Sequence, residues 1–484
     1  MSFVEPAFLP FLFVVLVGNW SLARAPWWQN AFLVGASFTF YGWIHPWMIG
    51  LLWLSATMNF KFGQWIEANE ATRDRWLTVS VIANIGILCA FKYFGFFQDA
   101  AVAALQAVGF DAHPTTLQVF LPLGLSFYTF HAMAYTIDIW RRQFAARTDY
   151  VGFLLFIGLF PQLVAGPIAR AHSLLPQVES ARPFDAEKVG SGLSLALWGA
   201  FKKVVIADTM APYVNIVYAH DEPTFAMIWT AALGFAIQVL ADFTGYTDMA
   251  RGVARMLGFE LLDNFRHPYL ATSPADFWTR WHISFSTWLR DYVYMPLVFS
   301  DWVRRWLTIP GTEPWGAFWH TTRALTVTMF LSGLWHGNTW NYVAWGMYYA
   351  FIGTVWAAAA ERVPRKVRKQ RDWTPFLLPL MFAHTLVGMM IFREPDVGRL
   401  VSHFTSNPFA GTPEEWAITA GLLMVCAGGA IPLLLALAFE RYVWPTIEGS
   451  PWRAPLLTTA WAAAAVSILT FYRSTVNDFV YFQF

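Results

Sequence analysis

Charge is scarce in this sequence. Asp, Glu, Lys and Arg make up 13% of 484 residues, against 57% hydrophobic ones. A soluble chain of this length needs far more charge to cover its surface, so composition excludes a soluble globular protein. Residues 25–60 and 324–360 contain none of the four, and neither do 6–23, 112–137, 151–169, 223–241, 373–392, 416–439 and 454–472. Cysteine is equally rare. Cys89 and Cys426 lie in apolar runs, which excludes a disulfide framework or a thiolate metal site and leaves buried thiols. A net charge of +1 gives nothing for nucleic acid to bind. No basic stretch precedes the first apolar run, where Glu5 stands, so that run reads as a retained span and not a cleaved signal peptide. Linkers, low-complexity tracts and internal repeats are missing too, and residues 1–484 read as a single membrane domain.

What is present is apolar length. A membrane helix needs roughly 20 apolar residues. In hydrocarbon every backbone N–H and C=O must be satisfied within the element, so these runs predict helices. Dividing them by the bilayer thickness predicts an all-α, polytopic chain of about eleven spans. Residues 25–60 can cross once, which would put the N-terminus inside, or twice with a turn near His45-Pro46, which would put it outside; the break that Pro46 offers favours two crossings. The densest basic segment holds Arg362, Arg365, Lys366, Arg368, Lys369 and Arg371, and the positive-inside rule places it in the cytosol. Arg141, Arg142 and Arg147 mark a second cytosolic loop, and Arg73 with Arg75 a weaker third.

The middle of the chain changes character. Residues 242–323 hold 16 Asp, Glu, Lys or Arg residues among many aromatics. Charge at membrane depth is costly unless paired, solvated or facing a cavity. The stretch therefore belongs at an interface, beside a cavity or inside a ring of helices. Ser273-Pro274-Ala275-Asp276 has the pattern of a capped helix start and predicts a helix from Pro274 to about Met295. On that helix Thr279, His282, Ser286 and Arg290 share one face, with Arg280, Ser284, Thr287 and Asp291 roughly opposite. Asp248, Arg251 and Arg255 fall at helical spacing and read as a structural ion pair. Asp242, beside an apolar run, could orient a histidine or bind a cation.

His336 is the one ionisable residue from Ala324 to Ala360, apart from tyrosines. Ser332-Gly333 before it and Gly337-Asn338 after it, with Asn341 beyond, predict close backbone approach and a helix break there. Non-helical backbone at depth must be buried in protein or line a cavity. An imidazole taken out of water stays neutral and can accept a proton, which suits a general base for a hydroxyl. The spacing leaves open the other reading, a packed histidine bonded to a carbonyl. For His131 and His384 packing is the better reading.

At these residues the sequence resembles the membrane-bound O-acyltransferase family, and most of all its bacterial, alginate O-acetylase-like branch. The resemblance rests on Leu121-Pro-Leu-Gly-Leu-Ser-Phe-Tyr-Thr-Phe130, Ala165-Gly-Pro-Ile-Ala-Arg170 and Asp242-Phe-Thr-Gly-Tyr-Thr-Asp-Met-Ala-Arg251. It also rests on Asp276-Phe-Trp-Thr-Arg-Trp-His-Ile-Ser284, Trp288-Leu-Arg-Asp-Tyr292, Leu331-Ser-Gly-Leu-Trp-His-Gly337 and the ending Tyr481-Phe-Gln-Phe484. It implies spans ringed around a thin centre, with a tunnel and re-entrant or interfacial helices. It implies that His336 is the catalytic histidine and His282 its companion. Asp242, Arg280, Ser286, Arg290, Asp291, Trp335 and Asn338 are then candidates to line or support the site. His131 stands where the family commonly has Gln.

The implied activity is export of an acetyl group at a bacterial inner membrane. No metal or permanently bound cofactor is implied. The donor is a cytosolic thioester, acetyl-CoA, whose phosphates Lys202, Lys203 and the 362–371 segment would attract. The implied partners are membrane lipid, an extracytoplasmic SGNH-hydrolase-like protein and, through it, a polysaccharide such as alginate. D-alanyl transfer from a carrier protein is the nearest alternative. A proton-coupled transporter or flippase with a midplane histidine is the alternative from another class, although the lack of internal repeats counts against it. A scaffold without chemistry of its own is a third.

Overall fold

The computed structural model describes residues 1–111, 122–164, 166–300, 316–362, 372–447 and 449–473. Residues 121 and 165 of the motifs, the basic residues Arg365, Lys366, Arg368, Lys369 and Arg371, and the ending Tyr481 to Phe484 lie outside them. Every regular element among the described residues is helical. They form two compact units: Met1–Leu193 with Ala250–Leu262, and Ser194–Met249 with Asp263–Phe484.

Seven helices among the described residues are long and apolar enough to cross a membrane. They are Glu70–Lys92, Ala186–Tyr218, Phe225–Met256, Trp340–Arg362, Thr374–Arg393, Pro413–Ile447 and Arg453–Phe471. The difference from eleven has physical causes. Run 6–23 yields a helix of only 14 residues, Phe8–Ser21, about 21 Å long. Run 151–169 is cut into Tyr150–Gly158 and Phe160–Leu163: Leu159 leaves the helical region (ψ 113), and Pro161, two residues on, has no N–H with which to continue the first helix. Leu155, Phe156, Ile157, Phe160 and Leu163 are fully buried, so this run is uncharged because protein surrounds it. The turn expected at His45-Pro46 is present, between helices Pro26–Tyr41 and Trp47–Ala68.

In the first unit, polar residues tie helices together. Asn59 and Asn84 exchange amide hydrogen bonds of 3.0 and 2.8 Å, and the Ser80 hydroxyl donates to Thr136 at 3.2 Å. His131 also packs there, its Nε2 accepting the Ala169 N–H at 2.9 Å. That bond joins two motif segments that are far apart in sequence.

In the second unit, Ala186–Tyr218 carries Lys202 and Lys203, charges that hide it from a search for apolar runs. Both lysines are buried and neutralised. Lys203 Nζ lies 2.8 Å from the carboxylates of Asp208 and of Asp242, and Lys202 pairs with Asp248. Phosphate attraction by these two lysines therefore competes with carboxylates already in place. Asp248, expected beside Arg251 and Arg255, holds Lys202, and within the first unit Arg255 holds Glu260. The helix widens by a π turn at Lys202–Ala207. Just before it, a Cβ on Gly199 would stand 2.5 Å from the carbonyl oxygen of Gly245, so the two backbones touch.

The helix expected over 274–295 is broken. Ser273 caps its start, accepting the Asp276 N–H at 3.1 Å, but the helix ends at Trp278. Ile283–Leu289, a wide turn Arg290–Tyr294 and Met295–Phe299 follow. The cause is a competing partner. The Ile283 N–H donates to the Asn264 carbonyl and the Arg266 N–H to the Arg280 carbonyl, both at 2.9 Å, where helix bonds would have been. The faces predicted from a continuous 3.6 period do not form.

The break expected near His336 does form. Helix Gly316–His336 ends at the histidine, and Trp340–Arg362 returns beside it. Contact is backbone to backbone: a Cβ on Gly333 would lie 2.2 Å from the Tyr342 oxygen, and one on Gly346 2.2 Å from the Met329 oxygen. Gly346→Ala is expected to cost about 1–3 kcal/mol and to lower the melting temperature in detergent, whereas Gly421→Ala, which meets nothing, leaves it unchanged or raises it. Lys203→Met removes the cation between the buried Asp242 and the partly buried Asp208 and is expected to cost about 3–5 kcal/mol. Adding Asp242→Asn should recover part of that loss in the same melt, and a single variant as stable as the parent would contradict this account.

Candidate functional site

His336 is the last residue of its helix and 7% exposed. Its ring meets aromatic edges on several sides: Trp345 at 4.7 Å, Trp335 at 4.8 Å and Phe392 at 5.2 Å between centroids. It opens on a narrow pocket walled by Val239, Phe277, Trp281, Trp345, Tyr349, Met389 and Phe392. His336 is the one imidazole in this apolar wall. Such a lining excludes competing protein charges and lets a bound group lie against the ring.

Packing holds the wall. Asn341 donates to the carbonyls of Phe392 at 2.9 Å and Ile391 at 3.3 Å, closing the end of helix Thr374–Arg393. It thereby fixes Phe392 against His336. The helix-breaking role expected of Asn341 is in this way combined with capping of a neighbour. Glu394, just past that end, is buried and accepts from His403 at 3.2 Å, with Arg399 at 3.3 Å. Burial works to raise the Glu394 carboxyl, but the His403 and Asp396 hydrogen bonds and Arg399 outweigh it and hold it below its ordinary value.

His282 sits in the broken segment, 1% exposed, with φ +43°. A non-glycine residue in the left-handed region costs about 1–2 kcal/mol, and here it swings the ring out of the helix line. Asn264 fixes the ring. Its Oδ1 accepts the Ser284 N–H at 3.0 Å and the Ser284 hydroxyl at 2.9 Å, and lies 3.2 Å from His282 Nδ1. The backbone N–H can only donate, so this atom is the amide oxygen, Nδ1 carries the proton, and Nε2 is the base. Burial pushes the His282 imidazole down to about 3, so the ring is neutral near pH 7. Unfolded, it would titrate at about 6.5. The group leaves folding unaffected above that pH, and stability is lost as pH falls from there toward 3, because the unfolded chain takes up the proton first.

Phe285 and Trp335 connect the two histidines. Their rings stack at 4.1 Å, with His282 5.1 Å from Phe285 and His336 4.8 Å from Trp335. Phe243 meets His282 edge-on at 4.8 Å, one residue from the buried Asp242–Lys203 pair. Asp242 thus holds a lysine, and the partner that orients a histidine is Asn264. Motif segments 276–284 and 331–337 supply Phe277, Trp281 and His336 to the pocket wall, and Phe243 of a third motif packs behind them against His282.

The other expected residues are not in its wall. Arg280 pairs with Asp276 at 2.7 Å, Ser286 donates to the Trp281 carbonyl at 3.0 Å, and Arg290 pairs with Asp291 at 2.8 Å. Asn338 is exposed in the turn after His336. All but Asn338 belong to the broken segment. Sequence reasoning missed Asn264, whose role depends on a contact across the fold. It also missed the wall residues Trp345, Tyr349, Met389 and Phe392, although their spacings of four and three were a usable signal.

Comparison with known proteins gives this pocket a context. Residues 75–324 match the membrane-bound O-acyltransferase family. The "Probable alginate O-acetylase AlgI" of Azotobacter vinelandii is 35% identical over 402 residues, 82% of this chain and 76% of that protein. The peptidoglycan O-acetyltransferase of Helicobacter pylori is 29% identical over 81% of this chain and 76% of its own length. The teichoic acid D-alanyltransferase of Bacillus subtilis is 26% identical over 56% and 68%. A match across half the chain, and relatives matched over most of their length, leave one assignment for these helices and their motif-lined pocket: the chain belongs to the membrane-bound O-acyltransferase family of enzymes.

Proposed function

We propose that this multi-pass membrane enzyme moves an acetyl group from a cytosolic thioester, acetyl-CoA, to a hydroxyl on the outer side of the membrane. The observation that carries the reading is the placement of His336, a single imidazole in an apolar wall. His336 Nε2 or Nδ1 accepts the hydroxyl proton as oxygen attacks the thioester carbonyl. The thiolate leaves toward the cytosol, and the proton taken up by His336 passes to it, directly or through solvent, which restores the neutral imidazole. An apolar wall favours this step by keeping bulk water, a competing nucleophile, away from the thioester. The tunnel that the family resemblance implies would join the two sides at this pocket.

His282 supports the site from behind the Phe285–Trp335 pair, neutral and held in one tautomer by Asn264. The acetyl group then passes through an extracytoplasmic SGNH-hydrolase-like partner to a polysaccharide such as alginate. Acetylase relatives match over 81–82% of this chain and the D-alanyltransferase of Bacillus subtilis over 56%, which favours acetyl over D-alanyl transfer. Membership of an acyltransferase family removes the support for a transporter or a scaffold.

His336→Ala is expected to abolish label transfer from acetyl-CoA in membranes while the protein stays folded and inserted. Transfer at the parental rate would sink the assignment. Asn264→Leu should slow turnover by about tenfold or more, about 1.4 kcal/mol of barrier, and Asn264→Asp, which keeps the acceptor oxygen, should slow it less. With His282 neutral down to about pH 3, the rate profile should show no ionisation from it between about pH 5 and 8. A limb in that range that vanishes in His282→Gln would overturn this.

A further inference from the structure

His384 lies in the middle of helix Thr374–Arg393 and is 9% exposed. Its Nδ1 is 2.6 Å from the hydroxyl of Tyr348, which also donates to the His384 carbonyl oxygen at 3.1 Å. A phenol has one proton to give. With that proton on the carbonyl, Nδ1 carries its own hydrogen and donates to the phenol oxygen. Nε2 is then a lone-pair acceptor. It is buried and meets no hydrogen-bond partner among the described residues. An acceptor kept in that state is a net cost to folding, one that Phe or Met, packing equally well, would not carry.

Its place in the fold says what could supply the donor. The His384 ring meets Tyr349, a wall residue of the His336 pocket, edge-on at 5.0 Å. One turn further on, Gly388 leaves room for the Tyr349 hydroxyl, which a Cβ there would approach to 2.5 Å. His384 precedes Phe392, the residue against His336, by about two turns, or ~12 Å along the helix. That displacement is toward the basic segment 362–371 joining these two helices, which is the cytosolic side. Acceptor hydroxyls come from the other side. Thioester donors come from this one, and their linker arm carries amide N–H groups, the nearer one a short methylene spacer from sulfur.

We infer that His384 Nε2 accepts a hydrogen bond from an amide N–H of the acyl donor's linker arm, making Tyr348 and His384 a donor-binding subsite of the His336 pocket. This rests on the reading that the donor reaches His336 from the cytosol. The same arm occurs on CoA and on acyl carrier proteins, and the subsite serves either. His384 is a binding residue; no bond to the acyl group is made or broken there.

The test uses purified full-length protein in nanodiscs, with CoA, a carrier protein bearing phosphopantetheine, and a CoA analogue in which an ester oxygen replaces the nearer amide N–H. His384→Phe should weaken binding of the true arm about tenfold. His384→Gln, whose amide oxygen stands near the position of Nε2, should recover most of it. The analogue should bind the parent protein about tenfold less well than CoA and bind His384→Phe no worse than CoA does. Dependence on His384 with CoA alone, or with the carrier alone, supports the subsite and identifies the source. Affinities unchanged in His384→Phe, or losses that simply add, overturn it. Should that variant not fold, equal binding of CoA and its analogue to the parent protein overturns it too. Label transfer is measured separately. Transfer with binding indifferent to His384 removes this inference and leaves the acetyl-transfer reading, whereas His384-dependent binding without transfer does the reverse.

Discussion

The carbonyl oxygen of Met329 stands where a side chain on residue 346 would have to be, and that of Tyr342 where one on residue 333 would. This double exclusion draws helices Gly316–His336 and Trp340–Arg362 together at the level of their backbones. Much of the site depends on it. The short return after His336 brings Trp345 and Tyr349 into the pocket wall and puts Asn341 within reach of Phe392. Wider spacing would separate the histidine from the aromatic edges that hold its ring.

Charge obeys a similar economy. In the second unit Lys202 and Lys203 are buried on one helix, with Asp242 and Asp248 buried or nearly so on another. Buried pairs of this kind add little net stability but penalise any arrangement that separates them. They fix the register of Phe225–Met256 against Ala186–Tyr218, where Gly199 and Gly245 already touch. Phe243, next to Asp242, inherits that register and presents its ring to His282. The ion pairs thus act on the site by geometry, several atoms away from any chemistry.

Much of this was legible from residue order. The break at His336, the turn at His45-Pro46, the cap at Ser273 and the close approach at Gly333 all follow from local chemistry, and all are present. The pairing of His336 with His282 came from motif resemblance, because no local rule relates residues so far apart. What failed had a common cause. The helix over 274–295 was predicted from its own periodicity, while Asn264 and Arg266, outside that segment, offered its backbone better partners. Ala186–Tyr218 was hidden because its lysines look solvated until the aspartates that neutralise them are seen. Local patterns report propensity, and these outcomes were decided by partners remote in sequence.

The interruption at Leu159 reaches well beyond its own surroundings. Topology in a membrane chain is a matter of parity, since each crossing reverses the side on which the following loop emerges. Residues 151–169 are as uncharged as a span, yet they form two short helices whose side chains Leu155, Phe156, Ile157 and Phe160 are enclosed by protein. Counting them as a crossing or not inverts the assignment of every later loop relative to Arg141, Arg142 and Arg147. A single extended residue, two before a proline, therefore decides on which side of the membrane the loops that follow it are placed relative to that basic loop.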